Sequence, residues 1–380
     1  MKFGRAIRVS MFMIACAVAA AAVVYKPTPF RMGIRASFPQ PSFPADNPLT
    51  QEGVALGERL FFETRLSEND TISCAHCHIP GESFSDPRRE SVGVHRRRGR
   101  RNSMPLFNLA WRKSFFWDGR AKTLREQVLI PMADHNEMNL APEKAAARLR
   151  NDETYVSAFA KAFNAEPSPQ TIAMALEQFL LTQISQDSRY DKIQRGEAKA
   201  TALEERGRAL FFTEYDPAHG MFGADCFHCH STAVFTNERF ANNGLELRGG
   251  DEGRFEVTGK EHDRGMFKVP SLRNVALTAP YMHDGRFRSL REVIEHYSTG
   301  VVDAPNLDPN LAKHGGQLGL SKEDKEALVA FLETLTDDSF VERGRALEEK
   351  NDFHLPPPRE GGPFAFDPPP PPPPRRNGVR

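Results

Sequence analysis

Two five-residue units in this chain join a pair of thiols to an imidazole: Cys74-Ala75-His76-Cys77-His78 and Cys226-Phe227-His228-Cys229-His230. Two thiols at this spacing can each add to one vinyl group of the same porphyrin. The adjoining His then lies below the iron as its proximal ligand. The units read as attachment sites for two covalent haem c groups, with His78 on the first iron and His230 on the second. A zinc site wants its Cys-x-x-Cys pairs close together, and these stand in different halves of the chain. A thioredoxin-like redox pair needs no following His.

The elements that must position these units also occur twice. Gly57-Glu-Arg-Leu-Phe-Phe62 precedes the first unit and Gly207-Arg-Ala-Leu-Phe-Phe212 the second. Beyond them, Pro105-Leu-Phe-Asn108 pairs with Pro270-Ser-Leu-Arg-Asn274. Asp118-Gly-Arg120 pairs with Asp284-Gly-Arg286, each with a Leu at the same offset (Leu124, Leu290). Two tandem c-type cytochrome domains related by internal duplication account for this. Residues 142–163 and 170–185 carry helical apolar spacing, as in Ile172, Ala175, Leu176, Phe179 and Leu180. Ser321 with Glu323-Asp324 caps a last helix running to Leu335. A strand signal appears around Phe255–Val257. The expected fold is mostly α, with long loops around two haems.

The duplication lets the two haem pockets be compared. Pro131 follows Trp117 at the offset by which Tyr297 follows His283, the repeat partner of Trp117. If both stretches supply the far side of their haem, one iron faces a proline that cannot ligate and the other a phenol that can. An open iron suits peroxide; a six-coordinate iron suits electron storage. Peroxide chemistry also needs a proton shuttle. Glu137 is the candidate, His135 is its rival, and Gln127 can hydrogen-bond in the same pocket.

The run Phe116-Trp-Asp-Gly-Arg-Ala-Lys-Thr-Leu-Arg-Glu-Gln127, followed by Pro131 and Glu137-Met138, resembles the bacterial di-haem cytochrome c peroxidase and MauG family. So does Phe267-Lys-Val-Pro-Ser-Leu-Arg-Asn-Val-Ala-Leu-Thr-Ala-Pro-Tyr-Met-His-Asp-Gly-Arg286, and the likeness spans residues 47–336. The resemblance implies that Trp117 sits between the haems as an electron relay, where the alternative is plain core packing. It implies that Gln127, Pro131 and Glu137 line the peroxide pocket, with Glu137 as acid/base. It also implies one calcium ion held by Asn102, Thr278 and Pro280, since calcium takes such amide and backbone oxygens. Two departures stand out. The family's peroxidases place a Met on the second iron, whereas the matching position here is Tyr297, as in MauG; Met282 and Met266 lie nearby. The removable far-side His of reductively activated peroxidases has only His95 near its place, one residue off within a basic loop.

These residues point to peroxide reduction at an open first haem, with electrons relayed through the second from a small periplasmic donor, a cytochrome c or copper protein. An alternative directs the oxidising power of peroxide at a protein or organic substrate, as Tyr297 suggests. A non-catalytic di-haem electron carrier is the third reading, and it has no use for Pro131 and Glu137 in one pocket.

The 380 residues suffice for two domains, and equal numbers of basic and acidic side chains, 50 each, imply no nucleic-acid partner. Lys2, Arg5 and Arg8 before an apolar run make residues 1–25 an export signal or N-terminal anchor, with lipid-modified Cys16 a third option. The protein is therefore expected in the periplasm, touching the membrane only through that segment. Residues 26–46 read as a linker or an extended arm, 47–198 as the peroxidatic haem domain and 199–340 as the electron-transfer haem domain. Residues 341–380 read as a Pro-rich disordered tail. A pyridine haemochrome assay should find two haems per chain, both retained on acid-acetone extraction. Replacing Cys74 or Cys226 should lose attachment at one site only; extractable haem overturns the assignment.

Overall fold

The computed structural model describes residues 25–355, apart from 246–249, 314 and 316. Cys16 and nearly all of the expected signal, and the tail beyond residue 355, lie outside the described residues. The first repeat contains α1 (Gln51–Phe61), α2 (Leu124–Ala133), α3 (Pro142–Arg150), α4 (Glu153–Phe163) and α5 (Pro169–Leu181), followed by α6 (Arg189–Gln194). The second contains α7 (Ala202–Phe212), α8 (Phe227–His230), α9 (Phe255–Thr258), α10 (Leu290–Glu295), α11 (Pro309–Ala312) and α12 (Lys322–Glu333). α13 (Asp338–Lys350) ends the described chain. The fold is mostly helical, with two short antiparallel ladders among the described residues: β1 (Tyr215–Asp216) with β2 (Met221–Phe222), and β3 (Phe240–Ala241) with β4 (Phe267–Lys268).

Repeated sequence gives repeated packing. α1 crosses α5, and α7 crosses α12. A Cβ on Gly57 would lie 2.0 Å from the Ala175 carbonyl oxygen, and one on Gly207 1.9 Å from that of Ala327. Each glycine therefore lets two helix backbones touch. α2 and α10 open with the same capping box, Thr123 with Glu126 and Ser289 with Glu292. One apolar core gathers Leu56 to Leu181 and a second gathers Phe211 to Leu335.

The structure departs from the sequence reading in three places. The helix expected over 142–163 is two, because the Asp152 carboxylate accepts from Thr154 N and starts α4 afresh. The strand signal at Phe255–Val257 is the one-turn helix α9, closed by Gly259 at φ 64°. Of the two readings of residues 26–46, the arm is the one seen: Phe38 is buried against Trp111 and under the Arg273 guanidinium. Residues 341–350, expected as the start of the tail, lie instead within α13. Asp337 caps that helix, and Phe340 inserts into the first repeat's core beside Phe84 and Phe107. Composition turns Pro-rich only from Pro356, past the end of α13. No described helix is long and apolar enough to cross a membrane.

Gly→Ala within a helix ordinarily gains up to about 1 kcal/mol. At Gly57 or Gly207 the sign should reverse, with a loss of about 1–3 kcal/mol or more from overpacking. Urea denaturation of Gly57→Ala and Gly207→Ala reads this directly, and a stabilised variant contradicts the backbone contact.

Candidate haem pockets and the wall between them

Both His units sit in short helical turns folded alike, with the His78 N–H donating to the Cys74 carbonyl and the His230 N–H to that of Cys226, at 3.0 Å each. Each imidazole donates from Nδ1 to a backbone carbonyl, His78 to Phe84 at 3.3 Å and His230 to Phe235 at 3.0 Å. Phe84 (φ 55°) and Phe235 (φ 52°) adopt the left-handed conformation to present those carbonyls. Burial pushes both imidazoles down to about 4, so they are neutral at ordinary pH with Nε2 free for iron. It also pushes the Cys74, Cys77 and Cys226 thiols up to about 12. Two half-buried thiols and one oriented, neutral imidazole per repeat suit a covalent haem c.

The first unit opens on a cavity of about 370 Å³ lined by Cys77, His78, Gln127, Pro131 and Glu137. Pro131 lies inside α2 and offers no donor atom. Glu137 is pushed up to about 7, chiefly by burial and then by the neighbouring Asp134 carboxylate, while Arg120 opposes the shift. His135 is left outside: its side chain is 70 % exposed and its Nδ1 lies 3.7 Å from an Asp134 oxygen. His95 is half exposed, and its Nε2 lies 2.8 Å from a Glu68 carboxylate oxygen.

The second unit opens on a cavity of about 240 Å³ lined by Cys226, Cys229, His230, Asn243, Met282 and Tyr297. Tyr297 occupies a π-helical turn, His296–Gly300, that continues α10. Such turns recur at functional sites. Its hydroxyl accepts from Asn243 Nδ2 at 3.3 Å, and that amide also lies 3.5 Å from Met282 Sδ. Burial pushes the phenol up to about 12. Met282 shares this cavity with Tyr297, whereas Met266 is not among its lining residues.

Trp117, Asn102, Pro105 and Lys268 line both cavities. Trp117 Nε1 donates to the Asn102 carbonyl at 2.8 Å, and the Trp117 carbonyl accepts from Lys268 N at 2.7 Å. The Asn102 N–H donates to the His283 carbonyl at 2.8 Å. Its side-chain amide donates to the Arg88 and Arg89 carbonyls, both at 3.2 Å, which leaves Oδ1 free of that task. Thr278 and Pro280 line the second cavity with Asn102. Lys268 and Asn243 were given no role by sequence reasoning: no local motif distinguishes them, and their partners lie far along the chain.

Residues 51–199 match the family model described as di-haem cytochrome c peroxidase. Methylamine utilization protein MauG of Methylorubrum extorquens is 36% identical over 310 residues, covering 80% of this chain and 84% of that protein. The chain belongs to the di-haem cytochrome c peroxidase and MauG family. Cytochrome c551 peroxidase of Pseudomonas aeruginosa is 32% identical, covering 76% of this chain and 80% of that protein. A crystal structure of a MauG-like protein associated with microbial copper homeostasis superposes with a TM-score of 0.75 at 33% identity, covering 82% and 97% of the two chains. Family membership makes this chain one of a group of haem oxidoreductases; its relatives divide between peroxidases and MauG proteins.

Proposed function

We propose that this chain reduces hydrogen peroxide in the first cavity, with electrons passed through the second haem from a small periplasmic donor, a cytochrome c or copper protein. The observation that carries the proposal is the convergence of His78, Gln127, Pro131 and Glu137 on one cavity. Two electrons and two protons convert one peroxide molecule to two waters. When bound, the haems supply the redox chemistry, and the surrounding side chains handle binding and protons. Glu137, as carboxylate, takes a proton from the incoming peroxide and returns it to the departing oxygen. A value near 7 suits a group that must do both. Gln127 offers an amide to orient the substrate, and Pro131 keeps the far side free of a competing ligand. Trp117, in the wall shared by both cavities, is the path for electrons. One calcium ion at Asn102, Thr278 and Pro280 would stiffen that wall from the second cavity's side.

A second reading is favoured by Tyr297. A phenolate on the second iron offsets positive charge there and favours the oxidised state. That would let the chain direct the oxidising power of peroxide at a protein or organic substrate instead of drawing on a donor.

Glu137→Gln should keep both haems and slow the peroxide reaction about a hundred- to ten-thousand-fold in stopped-flow traces. The parent rate should fall as pH drops through about 7, because protonation removes the base, and this limb should vanish in the variant. His135→Ala should react at the parent rate; a slow His135→Ala beside a normal Glu137→Gln moves the role to His135.

Tyr297 separates the two enzymatic readings. As a ligand it predicts no methionine-sulfur charge-transfer band in the ferric protein and a fully ferric enzyme that reacts with peroxide unprimed. Tyr297→Met should introduce that band and raise the second haem's potential. A parent that already shows the band, or that stays inert until given one electron, is an ordinary reductively activated peroxidase.

A further inference from the structure

At the join of the repeats a cluster of charges is buried with its signs unbalanced. Arg112 comes from the first repeat, Glu238 and Lys268 from the second, and their side chains are 6 %, 7 % and 1 % exposed. The Glu238 carboxylate accepts from Arg112 at 2.6 Å on one oxygen and from Lys268 Nζ at 2.5 Å on the other. Lys268 Nζ spends its other donors on Ser114, at 2.7 Å to the carbonyl and 3.1 Å to Oγ. Of the charged groups acting on Lys268, Glu238 attracts, while Arg112 and Arg254 repel. Arg254 looks elsewhere, to the Asp118 carbonyl at 3.1 Å and Asp263 at 3.9 Å. Two cations thus share one carboxylate, and among the described residues no second carboxylate pairs with either.

A buried surplus charge is costly unless a counter-charge meets it. Arg112 and Lys268 both line the first cavity, and Lys268 lines the second as well. Of the other charged groups lining that cavity, Arg101 pairs with Asp118 and Asp251, Arg120 with Asp118, and Arg100 with Glu256, while Asp134 and Glu137 stand at the exit of α2 and pair with neither Arg112 nor Lys268. The missing anion must therefore come from whatever fills the cavities, and a haem carries two propionate carboxylates.

We propose that the Arg112–Glu238–Lys268 cluster receives haem propionate at the join of the repeats and sets the haem potentials through its surplus positive charge. The proposal rests on the assignment of two haems, which the pyridine haemochrome count tests separately. These are positioning residues, acting on the iron through the propionates. A cation beside a propionate offsets its negative charge and favours the ferrous state; losing the cation favours the ferric state.

The test is a spectroelectrochemical titration of the complete two-haem protein. Arg112→Gln should move at least one midpoint to lower potential, Glu238→Gln should move it higher, and Arg112→Lys should stay near the parent. A cluster that merely pins the repeats together would not give shifts of opposite sign. Unchanged midpoints in folded two-haem variants, or shifts of one sign throughout, overturn the proposal. Should Arg112→Gln fail to fold, resonance Raman of Arg112→Lys decides: a shifted propionate bending mode supports the contact, and an unshifted one removes it.

Discussion

Both haem seats depend on one hydrogen bond, from a histidine Nδ1 to a backbone carbonyl held out by a residue in the left-handed conformation. A bulky side chain such as Phe84 or Phe235 avoids that region, and holding it there costs on the order of 1–3 kcal/mol. The cost is met by burial: Phe84 packs against Phe61 and Phe340, and Phe235 against Phe211 and Tyr190. In return the imidazole is fixed in tautomer and direction, with Nε2 aimed away from the carbonyl. A Phe in the same strained conformation, six positions after His78 and five after His230, marks it as part of the seat.

With the proximal side built twice to one plan, the difference between repeats lies on the far side. The helix that follows the Thr123 cap carries Pro131 within its length, whereas the helix after Ser289 passes into the π turn that carries Tyr297. One backbone plan thus yields a wall without a donor atom and a wall with a phenol. Between them, Trp117 is bonded through Nε1 to the Asn102 carbonyl of the first repeat and through its own carbonyl to Lys268 N of the second. Neither repeat can shift without moving the ring.

What was legible in the sequence is what depends on neighbours along the chain. The His units and the Asp-Gly-Arg turns work through residues within a few positions, whereas the contacts of Gly57 with Ala175 and of Gly207 with Ala327 cross more than a hundred. In those turns Asp118 accepts from Arg120 N and Asp284 from Arg286 N. Pro131, Gln127 and Glu137 could be grouped because one helix and its exit turn carry them. His135 and Glu137 could not be separated by spacing, since only solvent exposure distinguishes them. The Arg112–Glu238–Lys268 cluster was illegible for the opposite reason: its members stand far apart in the chain, and meet only once both repeats are folded and docked. α9 misled because Phe255 and Val257 flanking Glu256 are too few residues to tell a strand from one turn of helix.

The return of α13 to the first repeat fixes an order of events when the protein is made. Synthesis runs from the N-terminus, so the chain around Cys74 emerges long before Phe340. Until Phe340 arrives, the aromatic packing around Phe84 and Phe107 lacks a member, and the turn at Pro80 lacks the helix that covers it through Gly344. Until α13 docks, the loop that follows the first attachment unit therefore lacks part of its packing. The final helix among the described residues thus acts as a latch across the first repeat.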